Sequence, residues 1–272
     1  MPKEASYKAS DFIFNHTQLE TPCDFPFHIH DIYELIYLKK GDVSYMVEGK
    51  VYKPVKNCLL LTRPLENHVI TFNSPLSYER YNILFDAGNL SSDILSELSA
   101  DTVMLNFESN TLVSELFKKM DYYCHSFDGD KLKAILMHLT EEVLYNCVLT
   151  ARHTDQSAVY TTNPVIQAFL TYVDQNINTS LSVDTICNKL FISKSHLHHL
   201  FMKHLRLTPQ KYILSKKMAT AQRELRSGRK ATDVYTDCGF TEYSTFFRAY
   251  KKYFGHAPSE EIKTDIVRKI QS

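Results

Sequence analysis

Four residues near the start of the chain have the chemistry to hold a metal or orient a small molecule: His28, His30, Glu34 and His68. His28 and His30 are one residue apart, so on a strand both side chains leave the same face. In a small barrel that face could meet Glu34 and His68. Such a 3-His, 1-Glu set suits Fe, Mn, Ni or Zn and could support an oxygenase or isomerase reaction. The same groups also suit a pocket in which a few polar side chains among aromatics fix a ligand. His30, Tyr33, Glu34, Tyr45, His68 and Tyr81 are the candidate lining residues. A second histidine group, His196, His198, His199 and His204, is a poor metal set. His196 and His199 have the spacing of one helix face, but Leu200 and Lys203 follow on that face and supply no third ligand.

The elements that must position these groups fall into two halves. From Phe12 to about Phe85 the pattern is that of strands: Tyr33 to Leu38, Val43 to Val47, Cys58 to Leu61, and Tyr78 to Phe85. Lys39-Lys40-Gly41-Asp42 and Glu48-Gly49-Lys50 read as turns. Helices follow at Thr111 to Tyr123 and Asp130 to Leu149, the second with Leu132, Leu136, Leu139 and Val143 on an apolar stripe. Residues 151–163 are polar and aperiodic and end at Asn163-Pro164, which reads as a linker.

Charge divides the same way. The chain has 31 Lys+Arg and 31 Asp+Glu, but residues 1–162 carry 14 against 22 and residues 163–272 carry 17 against 9. A neutral total thus hides an acidic front and a basic back, as expected when one half faces phosphate. Six scattered cysteines without a Cys-x-x-Cys pair read as reduced, buried thiols. With no apolar run of membrane length and no signal-peptide stretch, the expected location is the cytoplasm, away from membranes.

Two helix–turn–helix patterns occupy the basic half. The first runs from Leu181 through the Leu190-Phe191-Ile192 turn to a helix after Ser193; the second runs from Ala231 through Cys238-Gly239-Phe240 to a helix over Tyr243–Lys252. Between them, Thr208-Pro209 to Ser227-Gly228 reads as a single connecting helix. With the trailing Gly255-His256-Ala257-Pro258-Ser259-Glu260, this segment resembles the DNA-binding domain of the AraC/XylS family of bacterial transcription regulators. His28-Ile29-His30, three residues to Glu34 and six to Gly41, is similar to a first cupin motif.

The resemblance implies an α+β two-domain protein. Residues 1–150 would be a cupin-like β-barrel with helices that senses an effector and dimerises. Residues 164–272 would be an all-α DNA-binding domain whose two helix–turn–helix units are joined by a linker helix. It further implies bases read by Ser195, His198, His199, Tyr243, Phe247 and Arg248, with phosphates held by Ser193, Lys194, Lys203, Lys251 and Lys252. Arg248 suits guanine, and Phe247 either packs on a thymine methyl or fills a domain interface. The implied partners are double-stranded DNA, RNA polymerase, a small-molecule effector (a sugar among the candidates) and a second copy through Leu132, Leu136, Leu139 and Val143. The implied mode is activation, without catalysis or a cofactor. A metal-dependent cupin enzyme with a helical appendage, or a regulator driven by a partner protein, are the alternatives. Departures from the family pattern are Arg206 for a usual Gly, Phe191 at a turn position usually small or polar, Ala231 for a larger residue and Tyr235 for a smaller one.

Overall fold

The computed structural model describes residues 5–9, 11–21, 29–153, 160–205 and 207–263. Its strands are β1 (Ser6–Lys8), β2 (Phe12–Leu19), β3 (Tyr33–Lys40), β4 (Val43–Val47), β5 (Lys50–Tyr52), β6 (Cys58–Thr62), β7 (His68–Phe72), β8 (Tyr78–Phe85), β9 (Met104–Asn106) and β10 (Tyr160–Thr162). Its helices are α1 (Thr111–Cys124), α2 (Gly129–His153), α3 (Pro164–Gln175), α4 (Val183–Leu190), α5 (Lys194–His204), α6 (Pro209–Arg226), α7 (Ala231–Asp237) and α8 (Tyr243–Phe254). His28 and Arg206 lie outside the described residues.

The strands form two sheets, ordered β1-β2-β8-β3-β6-β9 and β10-β5-β4-β7, that share a core between them. Alternation along each strand sorts side chains between layers. On β3, Leu35 and Tyr37 face the cluster built with α1 and α2, while Ile36 and Leu38 face the other sheet. On β4, Val43, Tyr45 and Val47 fill the space between the sheets and Met46 turns the opposite way. The layers therefore run α1/α2, first sheet, second sheet, then the helical half, which packs Ile166, Phe169, Leu170, Tyr212 and Ile213 in one cluster with Met46 and Val69.

Two expectations change here. Leu132, Leu136 and Val143 are buried and Leu139 is partly buried, all packed in the cluster that α1 and α2 make on the first sheet. An apolar helical stripe looks the same whether it covers a sheet or a second copy, and here it covers the sheet. Nor is the stretch 151–163 wholly aperiodic: α2 continues to His153, and β10 adds to the edge of β5 with Tyr160 opposite Tyr52 and Thr162 opposite Lys50.

In the helical half the first four helices begin where the sequence provides a side-chain cap, whereas α7 and α8 start at Lys230 and Glu242 without one. Asn163 caps α3, Ser182 caps α4, Ser193 caps α5 and Thr208 caps α6, the last with Pro209 in its first turn. Helix α6, about 27 Å long at 1.5 Å per residue, contributes Tyr212 and Ile213 to the first unit's core and Met218, Ala221 and Leu225 to the second's. One helix is thus a wall of both cores.

Candidate sensor site and nucleic-acid interface

Between the sheets, Glu34 of β3, His68 of β7 and His30 of the segment leading into β3 come together, all buried. His68 Nε2 lies 2.8 Å and His30 Nε2 3.5 Å from the same oxygen of Glu34, Oε2. The opposite nitrogen of each ring is committed to a carbonyl: His30 Nδ1 to Ile32 O at 2.9 Å and His68 Nδ1 to Glu66 O at 2.9 Å. A carbonyl only accepts, so each Nδ1 carries its proton, and each Nε2 is turned to the carboxylate. The other oxygen of Glu34, Oε1, accepts from the Asn82 amide. Burial alone would raise the Glu34 carboxyl, but its hydrogen bonds to His30 and His68 hold it well below the ordinary carboxylate value. Tyr45 sits beside this group, its ring centroid 6.3 Å from that of His68, with its hydroxyl hydrogen-bonded to Thr62.

Of the six candidate lining residues, His30, Glu34, Tyr45 and His68 therefore meet. Tyr33 and Tyr81 do not. Tyr33 precedes Glu34 on β3 and so points to the opposite face, where it stacks on Phe85 at 5.6 Å. Tyr81 stacks on His16 at 4.1 Å and on Phe117 at 5.0 Å, in the cluster under α1. The period of two, which paired His28 with His30, separates Tyr33 from Glu34. Thr62 and Asn82 belong to the cluster and were missed, because cross-strand proximity follows register: Glu34 is opposite Thr62 on β6, and Ile36 opposite Asn82 on β8.

Two loops carry the site toward the helical half. Leu65 donates its N–H to His30 O at 2.8 Å, while Leu65 O accepts from Lys216 Nζ of α6 at 3.0 Å. Lys216 also reaches Glu48 Oε1 at 2.8 Å and Asp174 at 2.9 Å. Glu48 in turn accepts from the Tyr212 hydroxyl at 2.9 Å and from Asn67 N at 2.7 Å. Ser215 donates to Asn67 at 3.3 Å, and Arg226 makes two 2.8 Å bonds to Asp31. Glu48 and Leu65 have φ of 46° and 68°, a left-handed backbone that costs a non-glycine residue about 1–2 kcal/mol. Beside Glu48, Gly49 approaches α3 so closely that an added Cβ would stand 2.6 Å from the Leu170 side chain.

On the helical half, Leu197, Leu200 and Phe201 point into the first unit and leave Ser193, Lys194, Ser195, His198, His199 and Lys203 exposed. Lys194, Ser195, His198, His199 and Met202 line one shallow depression. Ser193 spends its hydroxyl on the α5 cap, accepting from His196 N at 3.2 Å, and Lys194 pairs with Asp184. In the second unit, Phe246 and Tyr250 are buried while Tyr243, Arg248, Lys251 and Lys252 are exposed. Phe247 is half-buried, 6.2 Å from the Tyr243 ring, so it is partly a packing residue. Counting each helix from its cap places Ser244, an exposed residue that motif reading omitted, at the position of Ser195, and Arg248 at that of His199.

The two turns have matching hydrogen bonds, Ile192 N to Cys187 O and Phe240 N to Tyr235 O, which sets Phe191 where the second unit has Gly239. Both are left-handed, at φ 54° and 67°. Only Gly239 is sterically required: an added Cβ would stand 1.9 Å from Thr179 O. Lys217 Nζ completes that junction with bonds to Gly239 O at 2.8 Å and Thr179 O at 3.1 Å. Ala231 and Tyr235 pack in the same cluster, so the small and the large substitution adjoin one core.

The profile of the AraC-like ligand binding domain matches residues 22–120, and that of a helix-turn-helix domain matches residues 186–264. The chain is 28% identical over 170 residues to the Msm operon regulatory protein of Streptococcus mutans, a match that covers 54% of this chain and spans 60% of that protein. It is 22% identical over 251 residues to the transcriptional activator RhaS of Yersinia pseudotuberculosis, covering 87% of this chain and 88% of that one. A ToxT structure from Vibrio cholerae aligns over 94% of this chain and 98% of its own at 15% identity, with a TM-score of 0.41.

Proposed function

We propose that this chain, which belongs to the AraC family of transcription regulators, is a ligand-responsive activator that reads two successive major grooves with α5 and α8. The observation that carries this reading is the pair of helices, each with one exposed face, joined through α6, whose inward residues form two cores and whose outward residues are polar and basic. A helix of this kind fits the major groove, with base contacts from its first turns and phosphate contacts further along. Ser195, His198, His199, Tyr243, Phe247 and Arg248 are the reading set, joined by Ser244. Lys194, Lys203, Lys251 and Lys252 hold phosphates, and the Ser193 cap orients free amides at the α5 start.

In this reading the effector is a small ligand that meets His30, Glu34, Tyr45 and His68, and it acts by favouring one arrangement of the two halves over another. The chain is a regulator and not an enzyme, works in the cytoplasm as a homodimer, and engages RNA polymerase at its promoters. No helix among the described residues is long and apolar enough to cross a membrane. With the α2 stripe covered, exposed Leu112, Tyr122, Tyr145 and Leu149 are the large apolar residues left on α1 and α2 for a second copy.

The test is selection of bound duplexes from a random library by the full chain, followed by affinity against salt. Two enriched elements about 10 base pairs apart are expected. Arg248→Ala should relax one base position by about 1–3 kcal/mol, whereas Lys252→Ala should weaken all sequences alike and lower the salt slope by about 1. Equal losses on every sequence in both variants would refute the division into reading and anchoring residues.

A further inference from the structure

We propose that His30, Glu34 and His68 bind one divalent transition-metal ion, and that this ion is the signal passed to the DNA-binding half. The proposal rests on the sensor reading above and names the chemistry of its ligand. Among the described residues these three are the one group whose ligand atoms converge, all within 4.8 Å of one another. Two imidazole nitrogens and one carboxylate oxygen are a donor set favoured by Zn, Fe, Mn, Co and Ni over Ca or Mg. The surroundings match that use. Each ring is oriented by a carbonyl on its Nδ1 side, and the carboxylate is steadied by Asn82 through the oxygen that faces away from the histidines. Such outer contacts fix the tautomer and aim of metal-binding histidines.

The route outward is also built from these residues. Asp31, next to His30, is bonded to Arg226 at the end of α6. The loop that enters β7 holds His30 O through Leu65 N, His68 through Glu66 O, Ser215 through Asn67 and Lys216 through Leu65 O. An ion drawing His30 and His68 onto Glu34 would bear on the same loop that grips the helix shared by both DNA-reading units.

The experiment uses the full chain, stripped with a chelator and titrated with Co²⁺ as a spectroscopic probe and with Zn²⁺. Binding stoichiometry and operator affinity are read on the same samples. One Co²⁺ per chain with visible absorption bands is expected, together with a change of tenfold or more in operator affinity on Zn²⁺ addition. Glu34→Gln and His68→Asn should each weaken Co²⁺ binding at least tenfold, with circular dichroism melts confirming that both variants fold. Absence of stoichiometric Co²⁺ or Zn²⁺ binding by the wild-type chain, or unchanged binding in both folded variants, would overturn the site. A stoichiometric ion that leaves operator affinity unchanged would overturn its role as signal. If an organic effector shifts operator affinity in the metal-free chain, the sensor reading stands and the metal assignment falls. If neither shifts it, the sensor reading itself falls.

Discussion

Replacing Lys216 with Met is the most direct test of how the two halves are joined. The methionine keeps the unbranched stem that packs in α6 and deletes only the ammonium, which is about nine-tenths buried and donates to Glu48 Oε1, Leu65 O and Asp174. Removing one partner of a fully buried ion pair costs about 3–5 kcal/mol. Here the value must be reduced, because the Glu48 side chain is 21% and that of Asp174 47% exposed, so water re-solvates part of each carboxylate. Glu48 also keeps its bonds from Tyr212 and Asn67. A loss of about 2–3 kcal/mol remains, which changes the ratio of joined to separated halves roughly 30- to 150-fold. Urea unfolding followed by circular dichroism should show the transition at a lower midpoint and split into two steps. Lys118→Met is the control, since its pair with Glu115 on one helix is open to solvent and screened by it. If Lys216→Met moved the midpoint no further than Lys118→Met, the ammonium would not be what holds the halves together.

Three further outcomes follow, two from the turns and one from the outer face of the first sheet. Phe191→Gly should stabilise the chain by about 0.5–1 kcal/mol, because it relieves a left-handed backbone under a side chain that is 95% exposed and loses little packing; Gly239→Ala should destabilise it by about 3 kcal/mol or more, since its Cβ meets the Thr179 carbonyl. Thermal and urea unfolding of the two variants measure both, and shifts of the same sign would contradict the account. His16 is pulled down by burial, but Asp121, 2.8 Å from Nδ1, and Glu79, 3.1 Å from Nε2, leave its pKa raised overall. Its stabilisation is therefore complete below an unfolded value of about 6.5 and is lost as pH rises through the higher folded value. The stability gap between wild type and His16→Gln should shrink from pH 6 to pH 8, and a constant gap would exclude a charged His16.

Legibility in the sequence followed the range of the interactions. Caps, turns and helical stripes are local, so Ser193, Thr208-Pro209 and the hairpin Glu48-Gly49 placed their elements well. The resemblance to cupin motif spacing gave His30, Glu34 and His68, and the period of two would have removed Tyr33 had the alternation along β3 been followed one residue further. What could not be read were pairings across more than a hundred residues, such as Glu48 with Lys216 or Asp31 with Arg226. Those pairings also qualify the charge asymmetry. Lys216 and Lys217 add to the basic count of the second half, yet both are buried and serve internal junctions. Apolar stripes remained ambiguous for a different reason: α2 shows how a helix facing a sheet and a helix facing a twin present one pattern.

Strand β10 limits how the halves can move. Its residues are laced to β5, and only Asn163, itself bonded to Val165 N and Ile166 N, separates the last laced residue from Pro164 and α3. A span that short has almost no slack, and proline removes one of its few rotations. While β10 stays zipped, the helical half cannot drift away on a leash; it can only swivel about a fixed pivot at one corner of the second sheet. Motion of that kind changes the angle at which two reading helices meet a duplex far more than their distance from the sensor. A signal in this molecule would then be carried as orientation, and unzipping three residues would release that pivot.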